Sequence, residues 1–556
     1  MSFGPNSSTS SSKNESHKNS LGTPLQRLES SSSPNLLAYN ESQAPLKSER
    51  THPTSLTRSN TLPKTPQTAV VHAFELEEEK LARFREWMVC ICIAQFDVDY
   101  GPKIEFVTPA TTLSQSERDN IAFSAFPDTS NSNAGIAVHS FRIRSALAPT
   151  AMGSSVNEKG TFITTDGFLY GYCAFTQRRD KTSKRGYLQR SLVFLSQHPL
   201  PALFSSILAI STDLFLKHDY ETLETACHNI SNWPSPKAAS TLELGFLASV
   251  LLVELPQHID QQQLTETSSF GETFDPTRHI LAAYPPLEIT AVEVFSAILP
   301  SLWSLWECVV LSEPVFVHAF SPTLAAAAIW WLRDWLRPIP VSGDFRPYFT
   351  IHDPDHKRLF TKGTPQPGIM VGTTNPFLYE ECKHWPHIVS IGAGSTGKPS
   401  TSKSISSPGP APGFKTSHKR YISKDRVLLK ELENAVRAGI SKNERLRVSN
   451  LLRKHFASRA NGLLVPLNRY LTSLIPTPNS SPATPAQVPE GIAPFNSDDM
   501  MASLQRYGSP VPFKSTAKRR EFYERWLRTN AFSAWLMREE EIVMRVLAEK
   551  SGTTSS

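Results

Sequence analysis

The chain has 556 residues, 39% of them hydrophobic, with 43 prolines and a net charge of +6, from 57 Lys and Arg against 51 Asp and Glu. This length allows about three domains, and the prolines favour folded units separated by disordered segments. The charge is too mild and diffuse to indicate nucleic-acid binding, and no stretch reaches the ~18 apolar residues of a membrane span.

Residues 1–71 are rich in Ser, Thr, Asn and Pro and poor in large apolar side chains. Such a segment cannot bury enough surface to offset chain entropy, so we expect a disordered tail. It begins without an apolar core, and no secretory signal is expected.

The tail contains the sequence Arg58-Ser59-Asn60-Thr61-Leu62-Pro63. An arginine three residues before a hydroxyl and a proline two residues after it are typical of 14-3-3 phosphopeptides, in which a phosphate pairs with an arginine cluster. Thr61 is therefore a candidate regulatory phosphosite, and 14-3-3 protein a candidate partner. The alternative is a chance match in a Ser/Thr/Pro-rich segment.

Residues 72–256 predict an α+β unit with a five-stranded, mostly antiparallel sheet. The strand patterns lie at residues 87–96, 103–107, 138–143, 168–175 and 187–195. Ser114-Gln-Ser-Glu117 is a capping box that predicts a helix, and further helices are expected at about 200–216 and 241–252. The basic loop at 178–185 is typical of a solvated hairpin tip, with contact to anionic lipid or an acidic partner as the alternative.

A polar linker is expected at 257–285, and residues 286–392 alternate between helix and strand, which indicates a parallel α/β sheet. Ser321-Pro322 and Asn375-Pro376 are typical helix starts. Tryptophans recur at helical spacing, and we expect them in the core, with a partner surface as the alternative. They are Trp303, Trp306, Trp330, Trp331 and Trp335.

A glycine-rich segment at residues 389–400, VSIGAGSTGKPS, raises the question of a nucleotide site. Gly392, Gly394 and Gly397 match a dinucleotide fingerprint, and the segment also resembles most of a P-loop. Both motifs need a following helix whose amides face a phosphate. Pro399 and the Ser/Pro-rich composition of residues 393–418 predict a disordered linker instead. We expect no cofactor, and little effect of alanine at the three glycines.

Residues 419–550 are predicted to form an all-helical unit with a disordered Pro/Ser-rich insert at 476–494. Leu428, Leu432 and Val436 are spaced by four residues, and Ser441-Lys-Asn-Glu444 is a second capping box.

No catalytic constellation is apparent in the chain, since it lacks G-x-S-x-G and H-E-x-x-H motifs. The histidine motifs at residues 352–356 and 384–387 resemble metal ligands, but Asp353-Pro354-Asp355 is typical of a turn. No third cluster has ligand spacing, so we expect no metal site. The scattered cysteines predict buried free thiols and a reducing compartment. They are Cys90, Cys92, Cys173, Cys227, Cys308 and Cys382.

Several segments, in their order along residues 85–550, resemble the DENN-domain family and are closest to its type six. Among them are GFLYGY at 167–172, RDKTSKRGY at 179–187, DFRPYFTIHD at 344–353, TNPF at 374–377, HWPHI at 384–388, LLRKHF at 451–456 and PLNRY at 466–470. The motif residues singled out are Arg179, Asp180, Lys181, Asp344, Phe345, Arg346, Pro347, Tyr348, Asn375 and Pro376.

The resemblance implies a longin-like upstream domain at 72–256, a three-layer α/β core domain at 286–392 and an all-α downstream domain at 419–550. It also implies guanine-nucleotide exchange on a Rab GTPase of endosomal or Golgi vesicle traffic, by a cytoplasmic protein recruited peripherally to those membranes. Such a factor binds the nucleotide-free GTPase better than the loaded one, so it needs neither cofactor nor active-site chemistry.

Other functions stay open at this point. A DENN fold could serve as a scaffold that binds a GTPase or a trafficking complex without exchange. GTPase activation would need an exposed arginine aimed at the γ-phosphate. Arg346 is a poor candidate for that arginine, because it precedes Pro347 at a strand start and is expected to be structural. The resemblance does not indicate which residues contact the GTPase.

Overall fold

The computed structural model describes residues 74–128, 135–146, 154–156, 162–164, 166–181, 186–286, 288–392, 410–437, 441–475 and 492–553. Thr61, Gly394, Gly397 and the insert at 476–491 lie outside the described residues, so the predictions made for them stay predictions.

An antiparallel sheet of five strands forms the first layer, in the order β2-β1-β7-β6-β3, and confirms the predicted sheet. Its strands are β1 (Cys90–Asp97), β2 (Gly101–Thr108), β3 (Gly135–Arg144), β6 (Phe168–Arg179) and β7 (Tyr187–Ser196). A small separate hairpin consists of β4 (Ser154–Val156) and β5 (Phe162–Thr164).

Helices pack against this sheet because their apolar residues repeat at helical spacing. They are α1 (Glu78–Trp87), α2 (Gln115–Ser124), α3 (Pro201–His218) and α4 (Tyr220–Ser231). The predicted capping box forms at the start of α2, where Ser114 and Glu117 cap each other's backbone. The helix α4, which the sequence analysis did not predict, begins after Asp219. The positive φ of this residue, 51°, separates α4 from α3.

The prediction of a helix at 241–252 is wrong. That segment is a hairpin of β8 (Thr241–Phe246) and β9 (Ser249–Glu254), and β10 (His279–Leu281) adds a parallel third strand. Alternate side chains of the hairpin are buried, as the period of two in a strand requires. These side chains are Leu244, Phe246, Leu251 and Val253. The predicted linker at 257–285 therefore contains a strand.

The predicted parallel sheet is confirmed, in the order β12-β13-β11-β14-β15. Its strands are β11 (Val315–Ala319), β12 (Phe345–Arg346), β13 (Met370–Thr373), β14 (His387–Ile391) and β15 (Gly413–Thr416). The first four strands are parallel and β15 is antiparallel to β14. β15 corrects the expectation that residues 393–418 are disordered throughout.

The helices of this second unit are α5 (Ala291–Val294), a 3₁₀ helix (Ser296–Ser301), α6 (Leu302–Val310), α7 (Pro322–Leu336), α8 (His356–Leu359) and α9 (Pro376–Glu381). Of these, α7 and α9 begin at the two predicted starts. Ser321 Oγ accepts a hydrogen bond from Leu324 N at the start of α7, and Asn375 caps α9 through Phe377 N.

The C-terminal part is helical, as predicted. Its helices are α10 (Arg426–Arg437), α11 (Lys442–Ser473), α12 (Ser497–Tyr507), α13 (Thr516–Trp526) and α14 (Asn530–Thr553). α11 packs on the α/β layer through Phe456, whose ring lies 5.5 Å from that of Trp306 and 5.0 Å from that of Trp335. Across the described residues, no helix is long and apolar enough to cross a membrane.

The core predictions for two residue types are confirmed. The five tryptophans at helical spacing are all buried, and so are the six cysteines, each as a free thiol.

Gly392 corrects one expectation about the glycine-rich segment. A Cβ at this position would lie 2.7 Å from Pro412 Cγ, so alanine would displace the proline ring. Gly392 therefore allows the chain that leads into β15 to approach the end of β14.

Candidate functional site

The two large sheets meet along strand β3. Trp330 on α7 donates a hydrogen bond from Nε1 to Ser140 Oγ at 2.7 Å, although the two residues are 190 positions apart. The rings of Tyr170 and Phe345 lie 6.2 and 5.7 Å from that of Trp330. The sheets are thus joined by a packed aromatic contact, which fixes their relative position.

Arg142 carries an ionic network across this contact, which we call the sheet junction. Its guanidinium donates to Asp344 Oδ1 at 3.0 Å on one side and to Asp166 Oδ2 at 3.1 Å on the other. It also donates to Tyr170 OH at 3.1 Å and lies 3.4 Å from the centre of the Phe168 ring. Because Asp344 precedes β12 and the other groups belong to the antiparallel sheet, Arg142 connects the two sheets.

Arg346 is the centre of the sheet junction and is completely buried. Its Nε lies 2.8 Å from Asp344 Oδ1, its Nη1 lies 3.2 Å from Asp353 Oδ2, and its Nη2 contacts Asp355. Nη1 also donates to the backbone carbonyl of Arg142 at 3.1 Å. All sides of the guanidinium are occupied, so Arg346 is placed to hold the junction rather than to reach a γ-phosphate.

The carboxylates around Arg346 differ in their pKa. Burial raises the pKa of Asp344, but Arg346 and Arg142 lower it more, and the net shift is downward. Burial also raises the pKa of Asp355, but Arg358 and Arg346 lower it more, so the net shift is again downward. For the pKa of Asp353, burial outweighs Arg346 and the net shift is upward. Asp344 and Asp355 are therefore the carboxylates of the junction whose ionised form is favoured.

The motif around Asp353 and Asp355 forms the predicted turn. Asp353 Oδ1 accepts from Asp355 N at 2.8 Å, and both side chains then turn to Arg346. The two histidines of this motif serve separate contacts: His352 stacks on Phe123 with ring centres 3.9 Å apart, and His356 Nε2 lies 3.1 Å from Glu381.

The end of α2 is held by motif residues of the parallel sheet. Asn120 Nδ2 donates to Asp353 Oδ2 at 3.0 Å, and Asp128 N donates to Tyr348 OH at 2.8 Å. Asn375 Nδ2 donates to Asp128 Oδ2 at 2.5 Å. The last described residues of this loop are therefore fixed against the start of α9.

Apolar side chains are exposed directly beside these contacts. Phe377, two residues after Asn375, is 76% exposed, and Ile351 is 39% exposed. We call Phe123, Ile351, His352 and Phe377, each within three residues of Asn120, Asp353 or Asn375, the junction face. A large aromatic side chain that is exposed on firmly held backbone is typical of a surface that binds a protein partner.

The structure brings together most of the predicted motif residues. Those at the junction or against α2 are Asp344, Phe345, Arg346, Pro347, Tyr348, Asn375 and Pro376. Arg179, Asp180 and Lys181 lie at the other end of β6, eleven residues beyond Phe168, or about 35 Å along the strand. There Asp180 N donates to Gly186 O and closes the β6–β7 hairpin.

Sequence reasoning missed Arg142 and Asn120. The sequence did carry a sign of Arg142, because this charged residue interrupts the apolar pattern of β3. In the structure its side chain is only 5% exposed. Asn120 had none, because its partner Asp353 is 233 residues away.

No protein-family model matches the chain. The chain is 31% identical over 487 residues to the Mus musculus protein DENND6B, spanning 84% of this chain and 81% of the relative. It is 30% identical over 497 residues to DENND6B of Homo sapiens, with the same coverage of 84% and 81%. Identity to the DENND6 homolog of Dictyostelium discoideum is 26% over 525 residues, spanning 81% and 70% of the two chains.

Proposed function

Because this chain belongs to the DENND6 family of DENN-domain proteins, we propose that it is a guanine-nucleotide exchange factor that promotes GDP release from a Rab GTPase in endosomal or Golgi vesicle traffic. The protein regulates the GTPase and performs no chemical step itself. It is recruited peripherally to the membranes on which its GTPase acts, and Thr61 in the tail is the candidate site for its control by 14-3-3 protein.

The observation that carries the proposal is the junction face. An exchange factor must hold the nucleotide-free form of the GTPase more tightly than the loaded form. A surface that is already held in its binding conformation favours such a contact, because less conformational entropy is lost on binding. Phe377 and Ile351 meet this requirement, since the residues beside them are held by Asn375, Asp353 and the buried Arg346. We assign the GTPase contact to this face.

The full chain is expected to accelerate the release of fluorescent GDP from at least one member of a Rab panel. Phe377→Ala is expected to reduce that acceleration at least about tenfold, because an aromatic anchor at an interface contributes roughly 1.4 kcal/mol or more. Its melting temperature should be unchanged, since the side chain is 76% exposed.

The matched control is Val427→Ala, which removes an apolar side chain that is 80% exposed on α10 in the helical part. This variant should retain full exchange activity. No acceleration with any Rab, combined with stable binding of one, would favour a scaffold without exchange. Equal losses for the two variants would contradict the assignment of the junction face.

A further inference from the structure

A second cluster of reactive side chains lies where α6, β14 and β15 meet. Cys308 on α6, Glu313 in the turn after it and His418 beyond β15 place a thiol sulfur, a carboxylate oxygen and an imidazole nitrogen within 4.8 Å of one another. His387, the first residue of β14, adds Nε2 at 2.7 Å from Glu313 Oε2. We propose that these four residues, the 308–418 cluster, bind one zinc ion.

The chemistry of the four donors selects the metal. One thiolate, two imidazoles and one carboxylate form a borderline-soft set that suits zinc, whereas calcium and magnesium prefer oxygen ligands alone. Cys308, Glu313 and His418 would supply three ligands, and His387 beside Glu313 would supply the fourth of a tetrahedral site, which is typical of structural zinc. The charge is also balanced, because the Cys308 thiolate and the Glu313 carboxylate neutralise the dication, and binding releases the thiol proton.

Both imidazoles approach the same carboxylate oxygen. Glu313 Oε2 is buried, and it lies 2.7 Å from His387 Nε2 and 3.4 Å from His418 Nδ1. The two nitrogens and the oxygen therefore converge on one region, as the ligands of a shared ion do. The other oxygen, Oε1, is occupied by Arg525.

The second nitrogen of each imidazole is already engaged. His418 Nε2 donates to Glu307 Oε2 at 2.7 Å, and Glu307 is itself fixed by the backbone amides of Tyr421 and Ile422, each at 2.8 Å. His387 Nδ1 lies 2.8 Å from Thr416 Oγ1. Metal-binding histidines are oriented in this way, by a carboxylate or another polar group on the nitrogen away from the metal.

The position of the cluster indicates a structural role. Its ligands come from a helix, a turn, a strand and the segment that leads from β15 into the helical part. A zinc ion would therefore fasten residues 413–422 to the parallel sheet. The sequence analysis expected no metal site, because no third cluster has ligand spacing. These ligands could not be found in that way, since His418 lies 105 residues beyond Glu313.

The proposal is tested on the full chain by elemental analysis after purification without chelators. We expect about one zinc ion per chain, which Cys308→Ser and His418→Gln each remove. Cys382→Ser is the matched control, because this thiol is also buried but lies outside the cluster, and it should keep the metal. Chelation should lower the melting temperature of the unchanged chain, and Zn²⁺ but not Mg²⁺ should restore it.

A cobalt titration of the chelated wild-type chain keeps the test independent of how the variants fold. Binding at the cluster should produce a thiolate-to-cobalt charge-transfer band that saturates at one ion per chain. Zinc-free wild-type protein together with absence of that band would overturn the proposal, and so would zinc retained by Cys308→Ser.

Discussion

Arg346→Ala is expected to lower the free energy of unfolding by about 3–5 kcal/mol, the typical cost of removing one partner from a buried ionic network. The guanidinium is completely buried and contacts Asp344, Asp353 and Asp355. Without it, three carboxylates lose a buried compensating charge at the point where the two sheets meet, and Arg142 is left as the buried cation that pairs with Asp344.

Urea denaturation followed by tryptophan fluorescence measures this loss, because Trp330 lies in the same contact. The control is Arg520→Ala, which removes a 73% exposed arginine from a surface pair with Glu524 at 2.7 Å. Exposed pairs of this kind contribute less than about 1 kcal/mol. A similar loss of stability for both variants would show that the sheet junction does not depend on Arg346.

The same network predicts how stability depends on pH. The pKa values of Asp344 and Asp355 are lowered in the folded state, so their contribution is present above the ordinary Asp pKa of about 3.9 and is lost as pH falls through the folded-state values. Asp353, whose pKa is raised by burial, acts in the opposite direction. Arg346→Ala should therefore lose less stability than the wild type on acidification below about pH 4.

Elements with an unambiguous local pattern could be predicted from the sequence. The helix starts at Ser321-Pro322 and Asn375-Pro376 carry both a cap and a proline, and both form as predicted. The β8–β9 hairpin could not be predicted, because its apolar residues are too dense to distinguish a period of two from one of 3.6. Its turn also passes through Leu247, a non-glycine residue with a φ of 50°, which carries no turn signature.

Only the part of the candidate site that belongs to the parallel sheet could be predicted from the sequence. The segment from Asp344 to Asp353 carries the family resemblance, and its charged residues suggested a structural turn. Their partner Arg142 lies 202 residues from Asp344, and no local pattern reports a contact across such a distance. The same limit applies to the 308–418 cluster, whose residues come from separate parts of the chain.

Asp334→Ala is expected to cost about 3–5 kcal/mol of stability as well, at the contact between α7 and the helical part. Asp334 is 1% exposed and receives a two-point contact from Arg453 on α11, with Nε and Nη2 at 2.6 and 2.9 Å. It also holds Arg337 Nη1 at 3.0 Å. Arg337 is itself only 2% exposed, and this burial lowers the pKa of its guanidinium to about 10.

The variant would leave two buried guanidinium groups, those of Arg337 and Arg453, without the carboxylate that they share in the wild type. The control is Glu266→Ala, because Glu266 pairs at the surface with Lys454, the neighbour of Arg453. Both members of that pair are more than 40% exposed, and its loss should cost less than about 1 kcal/mol.

Adding Arg453→Met to Asp334→Ala should recover part of the stability, since one of the two unpaired charges is then removed. A double variant that is less stable than Asp334→Ala alone would contradict this electrostatic account. Arg453 would then stabilise the contact mainly through its packing on Tyr284, whose ring centre lies 4.3 Å from the guanidinium.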